Sequence, residues 1–249
     1  MAGAWDAEAL GGVSSASVQE LEAKNARGEG GPRSAPKAGA PTSELQRVWA
    51  REEELRKSGE TINLGIGMPA ADLIPKDGLL ASLTRGAFES EEQDMWGYNG
   101  SQGYATLREG MAQHFSAVRG VEVTADSFLI DGGGGGAIAT VAQTFLDAGD
   151  AVIAERPGYM GVMDCFVSQR ARLVGVPLDD DGMRLDVLEA TLDALEAEGS
   201  TPKLLYLQAL FHNPRGQCYT RARMEGLIDL CARRSVLILN DEAYYASSQ

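Results

Sequence analysis

The sequence predicts an α/β protein with a largely parallel sheet, and three observations carry this. From Ser127 onward, strand-length apolar runs and helix-length periodic stretches follow one another as β-α-β-β-α-β-α-β. Val236 to Leu239 is a continuous apolar run, as expected of a strand buried on both faces, and it stops abruptly at Asn240-Asp241-Glu242. Ligands of open α/β sheets bind beyond the carboxyl ends of the strands, so a carboxylate placed there points to a site. Finally, Ser127-Phe-Leu-Ile130 runs through Asp131 and Gly132 to Gly136 straight into a helical pattern.

Taken in order, Met1 to about Thr42 is rich in Gly, Ala, Ser and Pro without sustained periodicity. It buries too little apolar surface to offset its ordering entropy and is expected to be disordered, apart from a marginal helix around Val18–Lys24. Residues 43–57 read as a helix. Thr61-Ile-Asn-Leu-Gly-Ile-Gly-Met-Pro69 reads as a strand and turn. Trp96 to Tyr104 is a glycine-rich loop feeding a helix from Ala105.

The elements then expected are a strand at Ser127–Ile130, a helix at Ala137–Leu146 and strands at Ala151–Glu155 and Arg172–Val176. An acidic solvated turn at Asp179–Gly182 precedes an amphipathic helix over Leu185–Glu198. A strand at Leu204–Gln208 leads to Phe211-His-Asn-Pro-Arg-Gly216, and Thr220 caps a helix over Met224–Arg234. The domain organisation expected is a low-complexity segment 1–42, an arm with small-domain elements 43–100, and a large domain 101–249.

The formal charge of −14 argues against nucleic acid and anionic membranes as partners. Three cysteines without metal-like spacing point to buried thiols and a reducing compartment, hence a cytoplasmic location. Two histidines cannot build a three-histidine metal site, so no metal is expected. No apolar run approaches membrane-spanning length, and the amino terminus does not read as a secretory signal.

A strand, a glycine loop and a helix start together form an anion cradle, because free amides and the helix dipole face the ligand. The spacing fits neither the P-loop nor the dinucleotide fingerprint, and a run of five glycines also suits a flexible turn. Asp147-Ala-Gly-Asp150, a strand and Arg156-Pro-Gly-Tyr159 follow. Further on, Asn213-Pro-Arg-Gly216, a buried strand and Asp241-Glu-Ala-Tyr244 form a spaced set. Each alone also fits a turn or a cap.

Together, over roughly Ile62 to Tyr245, these motifs resemble the class I/II aminotransferases. These are fold-type-I enzymes that use pyridoxal 5′-phosphate, with flavours near the aminoadipate and aromatic aminotransferases and the 1-aminocyclopropane-1-carboxylate synthases. The resemblance implies a three-layer α/β/α large domain, incomplete at the carboxyl end, in a homodimer acting on amino acids and 2-oxo acids. It implies that the amides of Gly133, Gly134 and Gly135 hold the cofactor phosphate. Tyr159 would stack on the pyridine ring, and Asp241 would hold the pyridine nitrogen protonated. Asn213 and Tyr244 would donate to the phenolic oxygen. Gly67 would lie near the substrate carboxylate, and Tyr98 would reach the neighbouring subunit's phosphate, although packing on its own helix fits Tyr98 as well. Arg108 is read as structural, and His212 as part of the pocket wall.

The family's Schiff-base lysine lies in a Ser-x-x-Lys segment beyond the Asp-x-x-Tyr motif. Here the lysines are Lys24, Lys37, Lys57, Lys76 and Lys203, none in that context. The expectation is the amino-terminal part of a longer enzyme, with weak non-covalent cofactor binding and no transamination by these 249 residues alone. A non-catalytic ligand-binding or regulatory module, and more remotely a nucleotide-binding domain using the glycine loop, are the competing readings.

Overall fold

A computed structural model describes residues 44–59, 72, 74–89 and 97–245. The segment 1–42 with its expected helix, and Thr61–Pro69 with Gly67, lie outside the described residues. The chain divides into two units, Met1–Ser82 and Leu83–Gln249. The first contains helix α1 (Glu44–Ser58), whose surface pairs Arg51 with Glu54 at 3.0 Å and Lys57 with Glu53 at 3.1 Å. Helix α2 (Lys76–Thr84) leads into one π-helical turn, Arg85–Glu89.

The second unit is built on a five-stranded sheet: β1 (Ala151–Arg156), β2 (Arg172–Asp179), β3 (Gly182–Met183), β4 (Pro202–Leu207) and β5 (Leu237–Asn240). The order is β3-β2-β1-β4-β5, parallel except for the β2–β3 hairpin. Its helices are α3 (Ala105–Arg119), α4 (Gly134–Phe145), α5 (Met160–Ser168), α6 (Leu185–Ala197) and α7 (Arg221–Arg233).

Strand side chains alternate between the two faces of a sheet, and each face here has its own core. Val152, Ala154, Leu204 and Tyr206 pack with Ile138 and Ala142 of α4 and Val162 and Phe166 of α5. Ile153, Leu205 and Leu207 pack with Leu188, Leu192 and Leu195 of α6 and Leu227, Leu230 and Cys231 of α7. The result is the three-layer α/β/α arrangement expected. Thr220 caps α7 as its sequence suggests, its hydroxyl accepting from the Arg223 amide at 3.3 Å.

Four expectations need correction. Ser127–Ile130 is not a strand: Ala125–Ser127 is a 3-10 turn and Phe128 is extended. The Ile130 amide reaches the Gln102 carbonyl at 2.9 Å, and no ladder forms beside it among the described residues. Apolar β-prone residues do not make a strand without a neighbouring strand to pair with. The strand before Asp241 is not buried on both faces. Outermost among the described residues and paired there with β4, it leaves Leu237 46% exposed, with Ile238 and Leu239 half-buried. Helix α4 starts at Gly134, inside the glycine run, rather than at Ala137. Helix α5 was not expected at all; it supplies the crossover that lets β1 and β2 run parallel.

The cysteines are free, but only Cys231 is buried; Cys165 is half-buried and Cys218 exposed. Burial pushes the Cys231 thiol up to about 11 from 9.0. The unfolded chain therefore gives up this proton first. Stability present below pH 9 is lost as the pH rises toward 11, by about 2–3 kcal/mol for a two-unit shift. Urea unfolding across that window should show this decline in the wild type and a flatter curve in Cys231→Ala, which retains the tyrosines that titrate higher.

Candidate active site

The carboxyl ends of β1, β4 and β5 lie side by side and release their chains at one edge of the sheet. Asp241 follows β5, and its amide continues the ladder to the Leu207 carbonyl at 2.8 Å. Its Oδ2 accepts from the Tyr206 hydroxyl at 2.9 Å and from Gln208 Nε2 at 3.2 Å, while Oδ1 accepts from the Ala243 amide at 3.2 Å. A carboxylate offers about four acceptor positions. Three are used, and the one left is on Oδ1. Burial, and then the Asp241 charge, push the Tyr206 hydroxyl far above the ordinary tyrosine range, so it remains a donor.

Asn213 and Tyr244 meet as their motifs suggest, with Asn213 Nδ2 donating to the Tyr244 oxygen at 3.3 Å. The second Nδ2 hydrogen and the Tyr244 hydroxyl hydrogen both remain for a third acceptor. The pair is linked to Asp241 through Gln208, whose Oε1 accepts from the Asn213 amide at 3.1 Å.

Beneath this floor lies a buried polar cluster. Glu155, at the end of β1, is fully buried; its Oε1 accepts from the Tyr219 hydroxyl at 2.6 Å and its Oε2 from the Gln208 amide at 3.0 Å. His212 is buried too. Its Nδ1 accepts from the Arg215 amide at 3.3 Å, which places the ring proton on Nε2, 3.2 Å from Glu155 Oε2. That approach is too poorly aligned to count as a hydrogen bond, but it brings the donor against the carboxylate. His212 thus lies behind the floor rather than on the pocket wall.

The glycine run forms the start of α4. Gly133 precedes the helix at φ 92, ψ 175, a conformation open essentially to glycine alone. First-turn amides, here from Gly134 on, have no carbonyl partner within their own helix. A Cβ built on Gly132, Gly133, Gly134 or Gly135 meets nothing within 4 Å, so the ground above the loop is open. At Gly136 a Cβ would come 2.8 Å from Asp131 Oδ1. Asp131 braces the loop, accepting from the Thr140 hydroxyl and from the Gly132 amide at 2.6 Å. These two bonds, the Thr140 one foremost, hold its carboxyl below the usual range. Cys165 Sγ lies 3.8 Å from the Gly135 carbonyl and ties α5 to the loop.

Tyr159 is half-buried at the start of α5 and packs against the core that contains Tyr206. Tyr98 is fully exposed and does not join the cluster within its own chain. Arg108 is structural, donating to the Ala125 carbonyl at 2.9 Å and lying 3.8 Å from Asp126. Lys203, near the amino end of β4 and so away from Asp241, pairs with Asp150 at 2.6 Å and Asp147 at 3.1 Å. Arg119 was missed in the sequence: it pairs with Glu242 and lies over the Tyr245 ring at 3.7 Å, pinning the turn after β5. Tyr206, Gln208 and Glu155 were missed as well, although the last two end apolar strands just as Asp241 does.

The family model for "Aminotransferase class I and II" matches residues 60–248. An aromatic-amino-acid aminotransferase 1 from Thermococcus litoralis is 26% identical over 77% of this chain and 46% of its own length. A 2-aminoadipate transaminase from Thermus thermophilus is 33% identical over 72% of this chain and 42% of its own. A probable rhizopine catabolism regulatory protein, MocR, from Rhizobium meliloti is 26% identical over 83% of this chain and 40% of its own. Among solved structures, an archaeal alanine:glyoxylate aminotransferase superposes with a TM-score of 0.72 at 32% identity, over 81% of this chain and 49% of that one. The chain thus spans less than half the length of these relatives.

Proposed function

The chain belongs to the class I and II aminotransferases, and from that premise we propose that its second unit is the cofactor-binding part of a pyridoxal-phosphate-dependent aminotransferase acting on amino acids and 2-oxo acids. The observation that carries this reading is the linkage of Asp241 to the Asn213–Tyr244 pair. It leaves one acceptor position on Asp241 and two donor hydrogens on the pair. That donor set fits a ring with a protonated nitrogen and a phenolic oxygen.

When bound, pyridoxal phosphate supplies an electron sink for carbanion chemistry at the amino acid. Asp241 would accept from the pyridine N–H and raise that nitrogen's affinity for its proton. Asn213 and Tyr244 would donate to the phenolic oxygen. The amides of Gly134 and Gly135 would take the phosphate at the positive end of α4, whereas the Gly133 amide, expected there as well, is engaged by the Asp131 carbonyl at 2.9 Å and leaves Gly133 to set the turn. Tyr159 would stack on the ring. Tyr98, exposed on this chain, would serve the site of a neighbouring subunit in a homodimer. Gly67 is proposed for the substrate side.

None of the lysines in this sequence stands in the expected Schiff-base context, and Lys203 is engaged by two aspartates. We therefore propose reversible, non-covalent cofactor binding for residues 1–249. Titration of the purified chain with pyridoxal phosphate, followed by its absorbance, should show weak saturable binding that does not survive dialysis. Incubation with amino and 2-oxo acids should show no amino transfer. Robust transamination by the 249-residue chain would sink this reading. The similarity to a regulatory protein favours a second one, a ligand-binding module without catalysis. It predicts the same binding, with restoration of activity failing even when a lysine-bearing carboxyl-terminal segment is supplied in trans.

A further inference from the structure

We propose that Gln208 is a positioning residue that fixes the distance between Asp241 and Asn213; the proposal rests on the pyridoxal phosphate reading above. Gln208 is 2% exposed and belongs to neither of the two motifs it joins. Its single side-chain amide makes two contacts of opposite sense. Nε2 donates to Asp241 Oδ2 at 3.2 Å, and Oε1 accepts from the Asn213 amide at 3.1 Å.

The orientation of that amide is dictated by its partners. Turned over, it would set oxygen against the Asp241 carboxylate and NH2 against the Asn213 N–H, losing both bonds. Its backbone is fixed as well. Glu155 Oε2 accepts from the Gln208 amide at 3.0 Å, and Asn240 Oδ1 accepts from the next amide, Ala209, at 3.1 Å.

Only an uncharged side chain with a donor and an acceptor at its tip can serve both partners. Glutamate would set a carboxylate against Asp241, and methionine would serve neither. In the proposed site, Asp241 and Asn213 hold two different atoms of one rigid ring, so their separation decides whether both can be satisfied together. Gln208 spans that separation directly, so that the loop carrying Asn213 and the strand carrying Asp241 do not adjust independently.

The test uses Gln208→Met and Gln208→Glu, each in the wild-type and Asp241→Asn backgrounds, with two readouts. The first, without ligand, is hydrogen exchange at the Asn213 amide. Gln208→Met should lower its protection roughly tenfold, whereas Gln208→Glu, which keeps the acceptor, should leave it nearly unchanged. The second is affinity for pyridoxal phosphate. Both variants should bind roughly tenfold more weakly than wild type, and adding Gln208→Met to Asp241→Asn should weaken binding little further.

Unchanged affinity with only a lower melting temperature would make Gln208 a filler and overturn the proposal. So would equal losses in the two backgrounds. If Gln208→Met does not fold, Gln208→Glu decides on its own, and wild-type affinity there overturns the proposal. If the wild-type chain binds no pyridoxal phosphate, the functional reading fails, and the clamp stands or falls on Asn213 exchange alone.

Discussion

Glu155→Ala is expected to destabilise the second unit by about 3–5 kcal/mol, enough to unfold much of the protein at physiological temperature. Glu155 is fully buried and faces three donors: the Tyr219 hydroxyl at 2.6 Å, the Gln208 amide at 3.0 Å and His212 Nε2 at 3.2 Å. Removing the carboxylate leaves the Tyr219 hydroxyl and the Gln208 amide without an acceptor in a site closed to water, each at a desolvation penalty of about 1–3 kcal/mol, and takes away the carboxylate that His212 Nε2 lies against. Tyr219 offers no escape by ionising. Burial, reinforced by Glu155, drives its hydroxyl far above the ordinary range, so it must remain a donor. Glu155→Gln keeps an acceptor oxygen and nearly the same shape. It should lose only about a third as much, because the amide end then faces some of the donors. Urea unfolding of the two variants checks both statements, and equal losses would show that the cluster acts by packing alone.

Asp241→Asn is expected to leave the fold largely intact while lowering affinity for pyridoxal phosphate by roughly ten- to a hundredfold. That is the range for losing a hydrogen bond to a charged group, about 1.5–3 kcal/mol. The asparagine keeps one oxygen for the Tyr206 hydroxyl and the Gln208 amide, so the loss falls on the Oδ1 side: its free position and the bond from the Ala243 amide, which holds the turn after β5. Circular dichroism should overlay that of the wild type. The absorbance of bound ligand should also lose its protonated-pyridine character at a lower pH, since the negative charge beside that nitrogen is gone. Wild-type affinity in this variant would remove Asp241 from the proposed floor.

The parts of this fold that were legible in the sequence are those where local pattern and long-range pairing agree. β1, β4, α6 and α7 have strand or helix periodicity, apolar faces of the right length and, for α7, a cap. Helix α5 was illegible because Met160 to Ser168 is apolar almost throughout and has no side-chain cap, so no polar face betrays its period. Ser127–Ile130 was misread for the opposite reason. Its composition suits a strand, but strand structure depends on a partner that composition does not reveal.

In the candidate site, Asn213, Asp241 and Tyr244 could be read from their spacing. Glu155 and Gln208 could have been found by the reasoning that singled out Asp241, since each is the polar residue on which an apolar strand ends. What the sequence did not disclose was which of these side chains turn inward and bond one another. That depends on the order β1-β4-β5, which places the ends of three strands side by side although they are far apart along the chain.

The outermost position of β5 bears on how this protein behaves as a solute. Its outer edge has no neighbouring strand among the described residues, and Leu237 beside it is 46% exposed. Such an edge is a template for stacking against another copy. What opposes stacking is mutual repulsion between molecules that each carry a formal charge of −14. The balance is therefore colloidal. Dilute salt near neutrality favours separate particles, whereas acidification or about 1 M salt, which shortens the screening length to about 3 Å, removes the barrier and leaves the edge free to grow.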